Sequence, residues 1–257
     1  MREIEEYVAH LRDDGRALAD AAERAGFDAP VPSCPEWTVR DLVHHQGDIH
    51  RWAAANLTRD NSEPMDDDER QACVLTWPDD DAALLDWFRD GHAHLVKTLE
   101  SVPDDVVAWS FLPAPNARHF WARRQAHETA IHRGDSESAS GEVTAYEPTF
   151  AADGIDELLM GFAGRPGKAM SSEPRTLAIE PTDAPGRWLM TLGPERRAVA
   201  DSGDAADCTV AGPASDLYLL LWNRRAPDGL DVSGDSGLLA LWRDSLKVQW
   251  GGPTKKK

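Results

Sequence analysis

Glu128 and His132 stand four residues apart in Ala126-His127-Glu128-Thr129-Ala130-Ile131-His132-Arg133. On a helix that spacing puts both side chains on one face. Trp121 and Ile131 flank that face and mark it as inward. A carboxylate facing inward is unfavourable unless it is paired or binds a metal. Further imidazoles lie in Leu42-Val43-His44-His45-Gln46-Gly47-Asp48-Ile49-His50. Leu42, His45, Ile49 and Trp52 form one stripe at 3–4–3 spacing, so His45 is expected to face the core. His44 and His50 leave the stripe by roughly 100° and 140° at 3.6 residues per turn. One histidine from this helix with the Glu128/His132 pair makes a His₂Glu set. Three protein ligands and an open fourth position is the pattern of a catalytic zinc site. The plainer reading is that each is an ordinary surface or satisfied core side chain. The Glu-x-x-x-His spacing is not the His-Glu-x-x-His of the zinc metalloproteases, so that class is not supported.

Other signals carry less chemistry. Gly234-Asp235-Ser236-Gly237 imitates a serine-protease nucleophile loop, but its surroundings read as a turn into a helix with Asp235 or Ser236 as N-cap. Cys34 sits in a proline-flanked loop with no basic neighbour to lower its pKa, which favours an inert side chain. His127 adjoins the Glu128 face without an assigned role. Most of the ten tryptophans are expected to fill helix interfaces. Neither GxGxxG nor GxxxxGK[ST] occurs, so the nucleotide-binding fingerprints are absent.

Long helices are needed to hold such groups. Apolar residues at Ile4, Val8, Leu11 and Leu18 predict a first helix from about Glu3 to Ala25, stopped by Gly26. Thr38 with Asp41 three residues on predicts a capped start for a second, running to about Leu57. An acidic loop is expected over Asn61 to Arg70, a third helix over about Asp80 to Val102, and a fourth from about Ala117 to Arg133 or a turn further. Four helices joined by loops make a bundle. Residues 136–146 are polar and place a boundary between a domain at 1–140 and another at 147–250. In the second, helices are expected at Phe150–Phe162, Pro213–Arg225 and Ser236–Lys247. Strands are expected at Thr176–Glu180, Trp188–Thr191, Ala198–Asp201 and Cys208–Ala211. The class is α+β, with an antiparallel sheet and helices on one side.

Composition narrows the function. Acidic residues outnumber basic ones 45 to 27 among 257, for a net charge of −18. That charge opposes nucleic acids and anionic membranes as partners. No apolar run approaches the ~20 residues that span a bilayer. Three scattered cysteines without a CxxC pair fit a reducing compartment, and Met1 to Glu6 is acidic without the apolar stretch of a signal peptide. The expected location is the cytoplasm. Lys255-Lys256-Lys257 reads as a frayed end.

Two stretches carry a resemblance. Ser33-Cys34-Pro35-Glu36-Trp37-Thr38-Val39-Arg40-Asp41-Leu42-Val43 followed by His45, and Trp121 through Arg133 followed by Asp135, are similar to two signatures of the mycothiol-dependent maleylpyruvate isomerase family. Asp216 through Arg225 and the later Gly234-Asp235 resemble its C-terminal domain. The resemblance implies a DinB-like four-helix bundle holding a divalent metal, usually zinc, on His45, Glu128 and His132. It implies mycothiol as thiol cosubstrate and a small electrophilic substrate, in an enzyme that is an isomerase or a thiol S-transferase. The sequence leaves monomer or homodimer open. The family's isomerase holds a substrate carboxylate with a C-terminal-domain arginine, for which Arg224 is the catalytic candidate and Arg225 the near alternative. Two other readings stay open: a non-catalytic small-molecule-binding or regulatory protein of the same fold, and a hydrolase acting through metal-bound water.

Overall fold

The structure is a computed structural model that describes residues 2–74, 77–163 and 170–245. It divides into two compact units, one up to Thr144 and one from Ala145. The basic tail, the last two residues expected in the final helix and the helix stop expected near Gly164 lie outside the described residues.

The first unit is built on four long helices, α1 (Ile4–Ala25), α2 (Val39–Thr58), α4 (Asp81–Ser101) and α5 (Ala117–Ser140), with the short α3 (Asp67–Val74) after α2. Their starts follow from side-chain capping, which satisfies the orphan N–H groups of a first turn. Thr38 and Asp41 form the expected reciprocal capping box, Asp80 accepts from the Ala83 N–H at 3.0 Å, and Asn116 accepts from the His119 N–H at 2.8 Å. Helix α1 has a capping box of Glu3 and Glu6, and it ends at Gly26, whose φ of +83° suits glycine. The acidic stretch after α2 differs from expectation: Asp67–Val74 is helical. Asp66 Oδ1 accepts the Glu69 N–H at 2.8 Å while Glu69 accepts the Asp66 N–H at 3.0 Å, so acidic residues supply a cap here.

Helices α2 and α4 meet through two glycines. A Cβ on Gly47 would overlap the Trp87 ring, and one on Gly91 would overlap the Arg51 guanidinium. Arg51 in turn lies 3.7 Å over the Trp87 ring. Helix α5 is buried on all sides from His119 to Glu137 apart from Arg123. Buried charges on it are held by partners: Arg133 pairs with Asp14 of α1 at 2.8 Å and with Glu137 at 3.0 Å.

In the second unit, α6 (Pro148–Asp156) runs on into a π-helical segment (Glu157–Ala163). A five-stranded sheet follows in the order β3-β2-β1-β4-β5, made of β1 (Thr176–Pro181), β2 (Trp188–Thr191), β3 (Arg197–Ala200), β4 (Cys208–Gly212) and β5 (Asp231–Gly234). Helices α7 (Ala214–Leu221) and α8 (Gly237–Ser245) complete the unit. Its core holds Leu177, Ile179, Met190, Val210, Tyr218 and Trp242. The expected antiparallel sheet is mixed, because β4 pairs with β1 in parallel, Leu177 opposite Cys208. Two reversals through β2 and β3 restore the direction of β1, and the chain then crosses to the far edge of β1 without a third. Strand β5, with Val232 as its single apolar residue, was not expected. The loop before α8 is a turn with Asp235 Oδ1 accepting the Gly237 N–H at 3.0 Å, in keeping with a capping role.

Candidate metal centre

Helices α2 and α5 bring His45, Glu128 and His132 together. One donor atom from each lies within 4.8 Å of the others. His45 Nε2 is 3.6 Å from Glu128 Oε1, and His132 Nε2 is 3.5 Å from the same oxygen. These separations are long for hydrogen bonds. They suit donors around a tetrahedral ion, which with bonds of ~2.0–2.1 Å stand about 3.3 Å apart. Glu128 Oε1 is buried and accepts no hydrogen bond among the described residues. A buried carboxylate oxygen left so is costly unless a cation faces it. The geometry and the N/O donor set therefore fit a divalent ion.

Neighbouring side chains hold the three donors in place. Arg124, one turn before Glu128, donates from Nη2 to Glu128 Oε2 at 3.0 Å, which leaves Oε1 turned toward the histidines. Asp135 Oδ2 lies 2.9 Å from His132 Nδ1. The Trp37 ring packs at 4.9 Å from the His45 ring and at 6.1 Å, nearly parallel, from that of His132. The loop between Pro30 and Thr38 carries it, closed by the Val31 N–H to Trp37 carbonyl bond of 2.9 Å.

Electrostatics match this arrangement. Burial alone would raise the Glu128 carboxyl, yet polar contacts with His132 and His45 and the charge of Arg124 hold it well below the usual carboxylate range. Burial lowers His45 by more than Glu128 raises it, so that ring favours the neutral, lone-pair-bearing form. Burial also acts to lower His132, but Asp135 and Glu128 together raise it.

His44 and His50, which lie off the His45 stripe, are buried as well, while His45 keeps 14% side-chain exposure. Helix α2 packs against α4, α5, α3 and α1, so its other faces are covered too. His50 Nε2 lies 2.9 Å from Thr129 Oγ1 and from Gln46 Nε2, in a separate buried network. His44 lies 3.3 Å from Asp48 and packs on Trp77. His127 packs edge-on to Tyr7 of α1. Arg124 and Asp135 enter the sequence reading only as parts of a motif, with no role assigned to either. Each was marked by helical spacing alone, four residues before one donor and three after another.

Arg224 belongs to the second unit. Helix α7 closes in a Schellman arrangement, with Asn223 in the left-handed region at φ +62° and the Arg224 N–H bonded to the Leu219 carbonyl at 2.8 Å. The half-buried Arg224 side chain donates to the Trp222 carbonyl at 2.9 Å. Arg225 is engaged by Asp216 and by the Asp228 carbonyl.

Comparison with known proteins places these features in a family. Residues 8–136 match the family model described as the mycothiol maleylpyruvate isomerase N-terminal domain, and residues 149–241 match that of the MDMPI C-terminal domain. Among solved structures, the fold is similar to that of a mycothiol-dependent maleylpyruvate isomerase, with a TM-score of 0.59, 13% identity, and coverage of 90% of this chain and 93% of that one. A histidine-to-alanine mutant described under the same name gives a TM-score of 0.60 at 14% identity and the same coverage. Comparison with curated proteins gives no match. With its two parts matched in order by the two domain models, the chain belongs to the mycothiol maleylpyruvate isomerase family.

Proposed function

We propose that this protein is a metal- and thiol-dependent enzyme of the cytoplasm that uses mycothiol to isomerise, or to transfer sulfur onto, a small electrophilic substrate. The observation that carries this reading is the convergence of His45 Nε2, Glu128 Oε1 and His132 Nε2 in a chain of this family. These three atoms would hold a divalent cation, with Zn²⁺ the best match to two imidazoles and a carboxylate. Bound there, such a cation supplies Lewis-acid chemistry that favours a thiolate over a thiol near neutral pH.

The chain's own residues do the rest. Arg124 fixes the Glu128 carboxylate by its second oxygen. Trp37 covers the two imidazoles and limits water around them. Arg224 is our candidate for a substrate carboxylate, since its planar fork suits that group, with Arg225 the near alternative. With a double bond conjugated to a carbonyl, thiolate addition, rotation and elimination exchange cis for trans and return the thiol. With a leaving group, the same attack leaves sulfur on the product. The test is turnover of a panel of unsaturated diacids and alkylating electrophiles, with and without mycothiol. Turnover that requires the thiol supports the reading. Equal activity without it would indicate hydrolysis instead, and no turnover of any substrate a binding protein.

A further inference from the structure

We propose that Asp135 is a positioning residue of this centre: one carboxylate sets the tautomer of His132 and fastens the loop that lays Trp37 over both imidazoles. The proposal rests on the metal reading above and goes beyond its three donors. Asp135 and His132 are both fully buried, and Asp135 Oδ2 lies 2.9 Å from His132 Nδ1. An ionised carboxylate only accepts hydrogen bonds, so the hydrogen of the neutral ring must sit on Nδ1. The lone pair is then on Nε2, the atom 3.5 Å from Glu128 Oε1. The opposite tautomer would set two acceptors against each other at Asp135 and aim a hydrogen at the position of the ion.

The same carboxylate reaches across the chain. Ser33 Oγ donates to Asp135 Oδ1, and Cys34 Sγ lies 3.8 Å from Oδ2. The loop they belong to is tied by its own backbone, with the Cys34 N–H on the Val31 carbonyl at 3.0 Å and the Trp37 N–H on the Cys34 carbonyl at 2.8 Å. It therefore moves as a piece, and Ser33 and Cys34 attach that piece to α5. Asp135 thus couples the orientation of one donor to the cover above two of them. Partners of this kind characteristically change metal affinity without touching the metal.

The experiment uses the full-length chain with Asp135→Ala, the near-isosteric Asp135→Asn, and Ser33→Ala. Zn²⁺ affinity is read by chelator competition, ligand geometry by the visible absorption of the Co²⁺ form, and the His132 tautomer by ¹⁵N NMR of the metal-free protein at alkaline pH, where the ring is neutral. Asp135→Ala is expected to weaken Zn²⁺ by roughly 10–100-fold, to alter the Co²⁺ spectrum and to lose the Nδ1–H preference. Asp135→Asn, which keeps an acceptor oxygen, should recover part of each and stands in if Asp135→Ala does not fold. Ser33→Ala should leave the tautomer unchanged. Native Zn²⁺ affinity and a native Co²⁺ spectrum in both Asp135 variants would overturn the proposal. If the unaltered chain takes up neither ion, the metal reading fails. The tautomer then decides the role of Asp135: a His132 Nδ1–H preference lost in the variants supports it, and an unchanged mixture overturns it.

Discussion

His44, His45 and His50 lie within seven residues on one helix and have three different environments. His45 meets Glu128, His44 meets Asp48, and His50 completes a buried network with Gln46 and Thr129. His45→Ala is accordingly expected to abolish metal binding, while His44→Ala and His50→Ala keep it. His50→Ala should still lower stability by about 2–4 kcal/mol, because it opens a cavity and strands two buried polar groups; thermal melts beside metal titrations separate the two effects. Asp48 offers a test in pH. Burial raises its carboxyl to about 7, against the pull of Arg51 and Arg70. A carboxyl raised in the folded state favours folding at low pH, and that contribution is lost as pH climbs from about 4 through about 7. Asp48→Asn should therefore stabilise the protein at pH 8, by an amount on the order of a few kcal/mol, with the gain vanishing toward pH 4. Denaturant midpoints at the two pH values check the sign.

At the scale of elements, caps and close approaches position the donors. Thr38→Ala removes one half of the α2 capping box and should lower stability by about 1 kcal/mol. Gly47→Ala should lower it further, although alanine is worth about 1 kcal/mol more than glycine within a helix, because its Cβ collides with the Trp87 ring. Melting curves for the two variants rank the effects. The long helices were legible in the sequence because period and caps agree: Thr38 with Asp41 marks α2, and Gly26 ends α1. Helix α3 was not, since its eight residues begin with an acidic run that reads as loop. Strand β5 is four residues long and mostly polar, and the parallel β1–β4 pairing depends on a crossover that local pattern does not encode. The three donors were legible from helical phase and family resemblance together. The burial of His44 and His50 was not, because a stripe says which face is apolar and cannot say that the opposite face is covered as well.

The whole molecule joins a helical unit bearing a candidate cation site to an α+β unit bearing a candidate anion site, in a chain of net charge −18. A field of that sign opposes anionic substrates, so a local cation is needed to hold one. Arg224→Ala is expected to retain metal and lose roughly 2–4 kcal/mol of transition-state stabilisation toward carboxylate substrates, with Arg224→Lys recovering part; kcat/KM on charged and uncharged electrophiles checks it. The account stands or falls on the ion itself. Elemental analysis of the purified, Zn²⁺-reconstituted protein tests it most directly, with His132→Ala measured alongside. About one zinc per chain in the native protein and a small fraction of that in the variant is the expected result. A native chain without zinc, or a His132→Ala chain with its full complement, would contradict it.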